Sequence, residues 1–166
     1  FEYLLPYESQ PKKYIIKAEE QGNPAYGFNP LKRPLAQHIN AGIVNLDKPS
    51  GPTSHEVSSW VKKVLQLEKT GHGGTLDPQV TGVLPVALGN ATKVISSLLS
   101  AGKEYICVMY LHEEKEQDLV ERVLKLMTTE IYQRPPVKSS VVRRLRTRTI
   151  YYTQFLEMEG QFVLFR

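Results

Sequence analysis

GIVNLDKPSGPTSHEVSSWVKKVL (Gly42–Leu65) runs from strand to turn to helix without a spacer. GIVNL is apolar and β-branched, which suits a short half-buried strand. DKPSGP must turn, because Pro49, Gly51 and Pro52 fall within four residues. Thr53 followed by Glu56 then fits a capping box. The hydroxyl takes one free amide of the first helical turn and the glutamate reaches back. Behind the cap, Val57, Trp60, Val61, Val64 and Leu65 follow helical spacing and predict one buried face, with Lys62 and Lys63 outside.

Outward from this unit the pattern stays mixed. KKYIIKAEE (Lys12–Glu20) predicts a short strand, NPAYGFNPLKRPL an irregular arm, and LAQHI a short helix. TGVLPVAL (Thr81–Leu88) predicts a buried strand in which Pro85 implies an edge or a bulge. NATKVISSLL predicts a helix capped by Asn90. KEYICVMYL predicts a long strand. EKEQDLVERVLKLMTT predicts a helix with Leu119, Val120, Val123, Leu124 and Met127 inward. TRTIYYTQFLEMEGQFVLFR predicts a hairpin turning at Glu159 and Gly160. Strands and helices alternate without strict βαβ order, so the class is α+β. Residues 1–40 read as an N-terminal arm ahead of the organised region 41–166.

The 166 residues are 41% apolar and 23% charged, ordinary for a globular chain. No apolar run approaches the roughly 20 residues of a membrane span. The first residues lack a signal-peptide layout. The single cysteine, Cys107, excludes an intrachain disulfide and a cysteine-rich metal site. The expectation is an intracellular protein. The formal charge is +4, but Gln133–Arg148 alone holds Arg134, Lys138, Arg143, Arg144, Arg146 and Arg148 with no acid. That +6 leaves −2 for the remainder, a local basicity that fits a polyanion-binding surface as well as a solvated strip.

Chemistry narrows to a few positions. No P-loop, GxGxxG or G-x-S-x-G pattern occurs, and His38, His55, His72 and His112 include no i, i+4 pair. GHGGTLDP (Gly71–Pro78) leaves Asp77. Its glycines can bring main chain close to a ligand, and Pro78 biases Asp77 toward extended geometry. Read alone, the stretch is an Asp-Pro turn whose side chain caps the local backbone, and His72 a structural histidine. Lys48, before a helix N-terminus, can meet a phosphate or simply be exposed. Tyr105 is a core aromatic or a base-stacking one.

Taken together, NLDKPSGPTSHEV, KTGHGGTLDP, AGKEY and QRPP, in this order, resemble the tRNA pseudouridine synthase B family. LKRPLAQHINAGIVNLDKP and SSVVRRLRTRTIYY are similar to its box H/ACA ribonucleoprotein branch, that of eukaryotic dyskerin. GHGGTLDP and the compact EMEGQFVLFR hairpin look most like the archaeal form. The resemblance implies a mostly antiparallel mixed sheet flanked by helices. It also implies isomerisation of uridine to pseudouridine in rRNA, and in tRNA, without cofactor, metal or redox step. Asp77 would be the nucleophile, toward ribose or base. Tyr105 would stack on the target base and help remove its carbon-five proton. His72 would lie near the flipped nucleotide, and Lys48 and Pro49 would support the active-site loop. Lys103 would contact phosphate or the pocket wall. Residues 133–148, with Arg134, Arg143, Arg144 and Arg146, would clamp substrate RNA. The implied partners are guide RNA and the small H/ACA core proteins, in the cytoplasm of an archaeal-type cell or the nucleolus of a eukaryote. The family's later motif, with an arginine that pairs with the aspartate, and its C-terminal RNA-binding domain are expected beyond VLFR. HEEKEQ is shorter than the family's loop. A stand-alone tRNA T-loop synthase and a non-catalytic RNA-binding subunit are the competing readings.

Overall fold

Three antiparallel sheets and two well-formed helices carry the architecture in the computed structural model, which describes residues 4–5, 8–19, 22–137 and 142–166. The class is α+β. Two compact units are present: Tyr14–Ala101, and Gly102–Arg166 with the residues up to Lys13. No helix among the described residues is long and apolar enough to cross a membrane.

In the first unit, β1 (Ile43–Lys48), β3 (Gly82–Leu88) and β2 (Thr70–His72) pair in the order β1-β3-β2. Helix α2 (Ser54–Val64) starts at the expected capping box: Thr53 Oγ1 accepts from the Glu56 amide, and Glu56 accepts from the Thr53 amide at 2.7 Å. Val57 on α2 meets Leu84, Val86 and Leu88 on β3, with Leu46, Val61 and Leu65 packed around them. Each such fully buried aliphatic contributes about 1.5–3 kcal/mol. The helix face is rotated from the expected one. Its buried residues are Ser54, Val57 and Ser58, whereas Trp60 is 50% and Val64 78% exposed. Two buried serines turn the helix because each has a partner: Ser54 reaches Leu76, and Ser58 Oγ lies 3.1 Å from Thr70 Oγ1.

Strand β3 is central, so Pro85 lies neither at an edge nor at a bulge. The N–H and C=O of one residue in an antiparallel strand point to the same neighbour. Pro85 O accepts from Gly73 N at 2.8 Å, so its nitrogen faces the β2 side, where β2 has ended at His72. The missing donor falls where no strand needs it. After β3, Gly89 turns the chain with φ +51°, and a Cβ there would stand 1.9 Å from Asn40 Oδ1. Glycine lets the sheet end close on Asn40, just past α1 (Leu35–Ile39).

The expected helix after Asn90 is instead a 3-10 turn (Gly89–Lys93) and a short α3 (Ser96–Leu99). Thr92 and Ser97 turn their hydroxyls back onto the carbonyls of Gly89 and Val94, which competes with a continuous helix. Lys12–Glu19 forms no strand, and Ile15 and Ile16 are exposed; Glu20 lies outside the described residues. The arm 23–34 is irregular, with two 3-10 turns capped by Asn23 and Asn29.

In the second unit, β4 (Cys107–Tyr110), β8 (Phe162–Phe165) and β7 (Phe155–Glu159) form a sheet in the order β4-β8-β7. Helix α4 (Gln117–Leu126) lays Val120 and Leu124 on Val163, with Met109, Phe155 and Met158 around them. Leu119, Val123 and Met127 are exposed, so the apolar face is narrower than expected. Only Cys107–Tyr110 of KEYICVMYL is strand, and the hairpin turns at Gly160 and Gln161, with Glu159 the last residue of β7. A separate hairpin, β5 (Glu130–Gln133) with β6 (Arg146–Thr149), takes up both ends of the basic segment.

Candidate active site

Asp77 is exposed, at the start of a turn in which its carbonyl accepts from the Val80 amide at 3.0 Å. Pro78 supplies the fixed φ that such a turn favours at its second position. The main chain on both sides is tied to the segment after β1. Before Asp77, the Leu76 amide donates to Ser54 Oγ at 2.9 Å, and the same hydroxyl donates to the Leu76 carbonyl at 3.1 Å. After it, the Pro78 carbonyl accepts from the Gly51 amide at 2.9 Å and from Lys48 Nζ at 3.0 Å. DKPSGPTS is thus a brace for the carboxylate-bearing loop.

Lys48 has no exposed surface. Its ammonium donates to the carbonyls of Pro49, Pro78 and Val80 at 2.9, 3.0 and 2.9 Å. An ammonium has three donors, and all three are taken. This corrects the expected phosphate or substrate contact: Lys48 could touch a phosphate only by breaking the loop's own bonds. The three carbonyl dipoles solvate its ammonium inside the brace.

His72 ends β2, half-buried, with Nδ1 within hydrogen-bonding distance of the Gly74 carbonyl. A carbonyl only accepts, so in the neutral ring Nδ1 carries the proton and Nε2 offers a lone pair. The glycines of the loop differ in purpose. Gly74 has φ +149°, which side-chain-bearing residues rarely adopt, whereas Gly73 packs against Ile95, Leu98 and Pro85. Gly73 therefore serves packing and Gly74 the backbone turn.

In the other unit, Lys103 and Tyr105 are exposed on the stretch leading into β4; Tyr105 is 49% exposed and not a core aromatic. Glu104 between them accepts from Arg166 Nη2 at 2.6 Å and from the Tyr152 hydroxyl, both on Oε2. The Arg166 guanidinium also lies 5.6 Å from the centre of the Tyr152 ring. Arg166, then Tyr152, hold the Glu104 carboxyl below the usual carboxylate range, and Glu104 pushes the Tyr152 phenol up. Residue-by-residue reading of the sequence missed this cluster. A glutamate flanked by two candidate site residues was its one signal.

Arg134, Arg143, Arg144 and Arg148 are exposed, and Arg146 is half-buried, its Nε donating to Gln133 Oε1 at 3.1 Å across the β5–β6 pair. Lys138 lies outside the described residues. Among the described residues no group of histidine, cysteine and carboxylate side chains could hold a metal.

Residues 62–166 match the model of the TruB family pseudouridylate synthase N-terminal domain. The chain belongs to this family. Residues 5–58 match a second model, the DKCLD (NUC011) domain. Among curated TruB-family relatives, the "Probable tRNA pseudouridine synthase B" of Pyrococcus furiosus is 55% identical over 163 residues, 98% of this chain and 48% of that protein. The protein of the same name from Methanopyrus kandleri is 52% identical, again over 98% of this chain and 48% of its own length. The chain therefore spans about half the length of the curated relatives it matches. A solved Cbf5-Nop10-Gar1 complex matches with a TM-score of 0.84 at 56% identity, over 95% of this chain and 48% of the other. A structure of an H/ACA RNP bound to a substrate RNA containing 2'-deoxyuridine matches with a TM-score of 0.85 at 51% identity, over 98% and 48%.

Proposed function

We propose that this TruB-family chain carries the catalytic aspartate of an H/ACA-type, RNA-guided pseudouridine synthase, acting on uridine in rRNA and in tRNA. The observation that carries the reading is the loop at Asp77, whose main chain is bonded on both flanks to the preceding motif. A nucleophilic carboxylate must be fixed against its target, and a turn that serves packing alone has no need of such a brace. The likeness to the complexes described above supports the H/ACA branch, and the names of the curated relatives support tRNA as a further substrate.

In this reading the target uridine is extruded from its stack, at a cost of a few kcal/mol. Asp77 acts as nucleophile, the bond between N1 and the ribose breaks, and the uracil turns. Carbon five then joins the ribose, and N1 gains a proton as carbon five loses one. Tyr105 stacks on the base and assists that proton loss, and His72 borders the flipped nucleotide. Lys103 and Arg134, Arg143, Arg144 and Arg146 hold phosphates, giving affinity with little sequence preference. Sequence choice falls to a guide RNA, with small core proteins completing the particle. Residues 1–40 serve as an arm and 41–166 as the N-terminal part of the catalytic domain, in the cytoplasm of an archaeal-type cell.

The test is Asp77→Asn in the complete polypeptide, reconstituted with guide RNA and core proteins. Tritium release from carbon-five-labelled uridine RNA should vanish while RNA binding stays. Retained turnover would overturn the reading.

A further inference from the structure

The strand pairing of β4 with β8 begins at Cys107 opposite Phe165, so Gly102–Ile106 lies outside the ladder. That stretch carries two of the residues assigned above to substrate, Lys103 and Tyr105, on exposed backbone. A side chain used in chemistry must be held within a fraction of an ångström by something. Glu104 sits between them. Its Oε2 receives a 2.6 Å bond from Arg166 Nη2 and a second bond from the Tyr152 hydroxyl. The donating end is tied to the neighbouring strand end. Arg166 and Gln154 exchange both backbone bonds, Arg166 N to Gln154 O at 2.8 Å and Gln154 N to Arg166 O at 2.9 Å. The guanidinium is further oriented over the Tyr152 ring. A charged, doubly bonded carboxylate therefore does for Glu104 what the ladder does for Cys107.

We propose that Glu104 is a positioning residue: anchored by Arg166 and Tyr152, it fixes the segment that bears Lys103 and Tyr105 and so sets the orientation of the Tyr105 ring. The proposal rests on the reading of Tyr105 as the residue that stacks on the target base. Neither Glu104 nor its two partners touches the substrate. Their effect falls chiefly on the rate of the chemical step, because most of the RNA affinity is assigned to the arginines of the 133–148 segment.

The experiment uses Glu104→Gln, Arg166→Met and Arg166→Lys in the complete polypeptide, reconstituted with guide RNA and core proteins. Tritium release is measured at several RNA concentrations. A misplaced group costs on the order of ten- to a hundredfold, so Glu104→Gln and Arg166→Met should lower kcat by about that much. KM for RNA should rise by no more than about threefold, because of the phosphate contacts assigned above only that of Lys103 lies on the loosened segment. Arg166→Lys, which keeps a cation on the carboxylate, should restore kcat to within about threefold of the parent. The second readout needs no activity: fluorotyrosine placed at Tyr105 should give one sharp fluorine resonance in the parent, and a broadened or divided one in Glu104→Gln. Unchanged kcat with an unchanged resonance would overturn the proposal. So would a joint fall of kcat, RNA affinity and melting temperature, which marks ordinary loss of structure. A parent protein with no tritium release would refute the assigned activity instead, and the fluorine line would still decide whether Glu104 orders Tyr105.

Discussion

Ser54 Oγ donates to the carbonyl and accepts from the amide of Leu76, the residue before Asp77, at 3.1 and 2.9 Å. One buried hydroxyl at a helix N-terminus thereby satisfies a whole peptide residue of the Asp77 loop. Ser54→Ala removes both bonds and leaves two polar groups unpaired, a loss of about 1–3 kcal/mol. The urea midpoint should fall accordingly, and turnover should fall with it while Asp77 itself is intact. Unchanged stability would mean that the loop is held elsewhere.

Lys48 offers a sharper separation of roles. Hydrogen bonds to a charged group are worth about 1.5–3 kcal/mol, so Lys48→Met should cost at least that much in chemical denaturation. Lys48→Arg should not rescue it, since a planar guanidinium does not present three donors to three converging carbonyls. The salt dependence of RNA binding should be the same in any Lys48 variant that folds. A slope reduced by about one would show that this ammonium reaches a phosphate after all.

Replacing Arg143, Arg144 and Arg146 together with glutamine should leave stability nearly unchanged. The first two are exposed, and Arg146 gives up one bond to Gln133. Each lost phosphate contact lowers the slope of log affinity against log salt by about one. Fluorescence anisotropy over a salt series measures it. A triple variant with the parental slope would remove the β5–β6 region from the RNA interface.

Two carboxylates give the protein an acid limb. Bonds from the Thr53 backbone and hydroxyl hold Glu56 below its ordinary value, and Arg166 and Tyr152 do the same for Glu104. A depressed carboxyl contributes stability above its unfolded value, near pH 4.3 for glutamate, and that contribution is lost as pH falls through the folded value. Melting temperature should therefore decline below about pH 4.5. The decline should be shallower in Glu104→Gln and in Glu56→Gln than in the parent. A parallel decline in all three would place the acid sensitivity elsewhere.

The start of α2 was legible because its geometry is local. Thr53 and Glu56 stand three apart and must meet once the helix forms, so the capping box could be read directly. Lys48 could not, because its partners Pro78 and Val80 lie thirty and more residues away, and a lysine reads as solvent-facing until three carbonyls are seen to surround it. Ser54 and Ser58 misled the helix face for the same reason: buried hydroxyls look polar in sequence and become core when Leu76 and Thr70 accept them. Pro85 argued against a central strand by a sound rule, yet the strand beside it stops one residue too early for the rule to apply. Glu104 was hidden because its anchors, Tyr152 and Arg166, flank the β7–β8 hairpin, 48 and 62 residues on.

A lysine sealed behind three carbonyls also keeps time. Amine-reactive reagents acylate exposed lysines readily, but Lys48 can react only when Pro78 and Val80 let go of it. Its labelling rate relative to that of an exposed lysine, read by peptide mass spectrometry, measures the fraction of time the loop that flanks Asp77 is open. The protein thus carries its own reporter of how often that backbone breathes, at a position that leaves the aspartate chemically untouched.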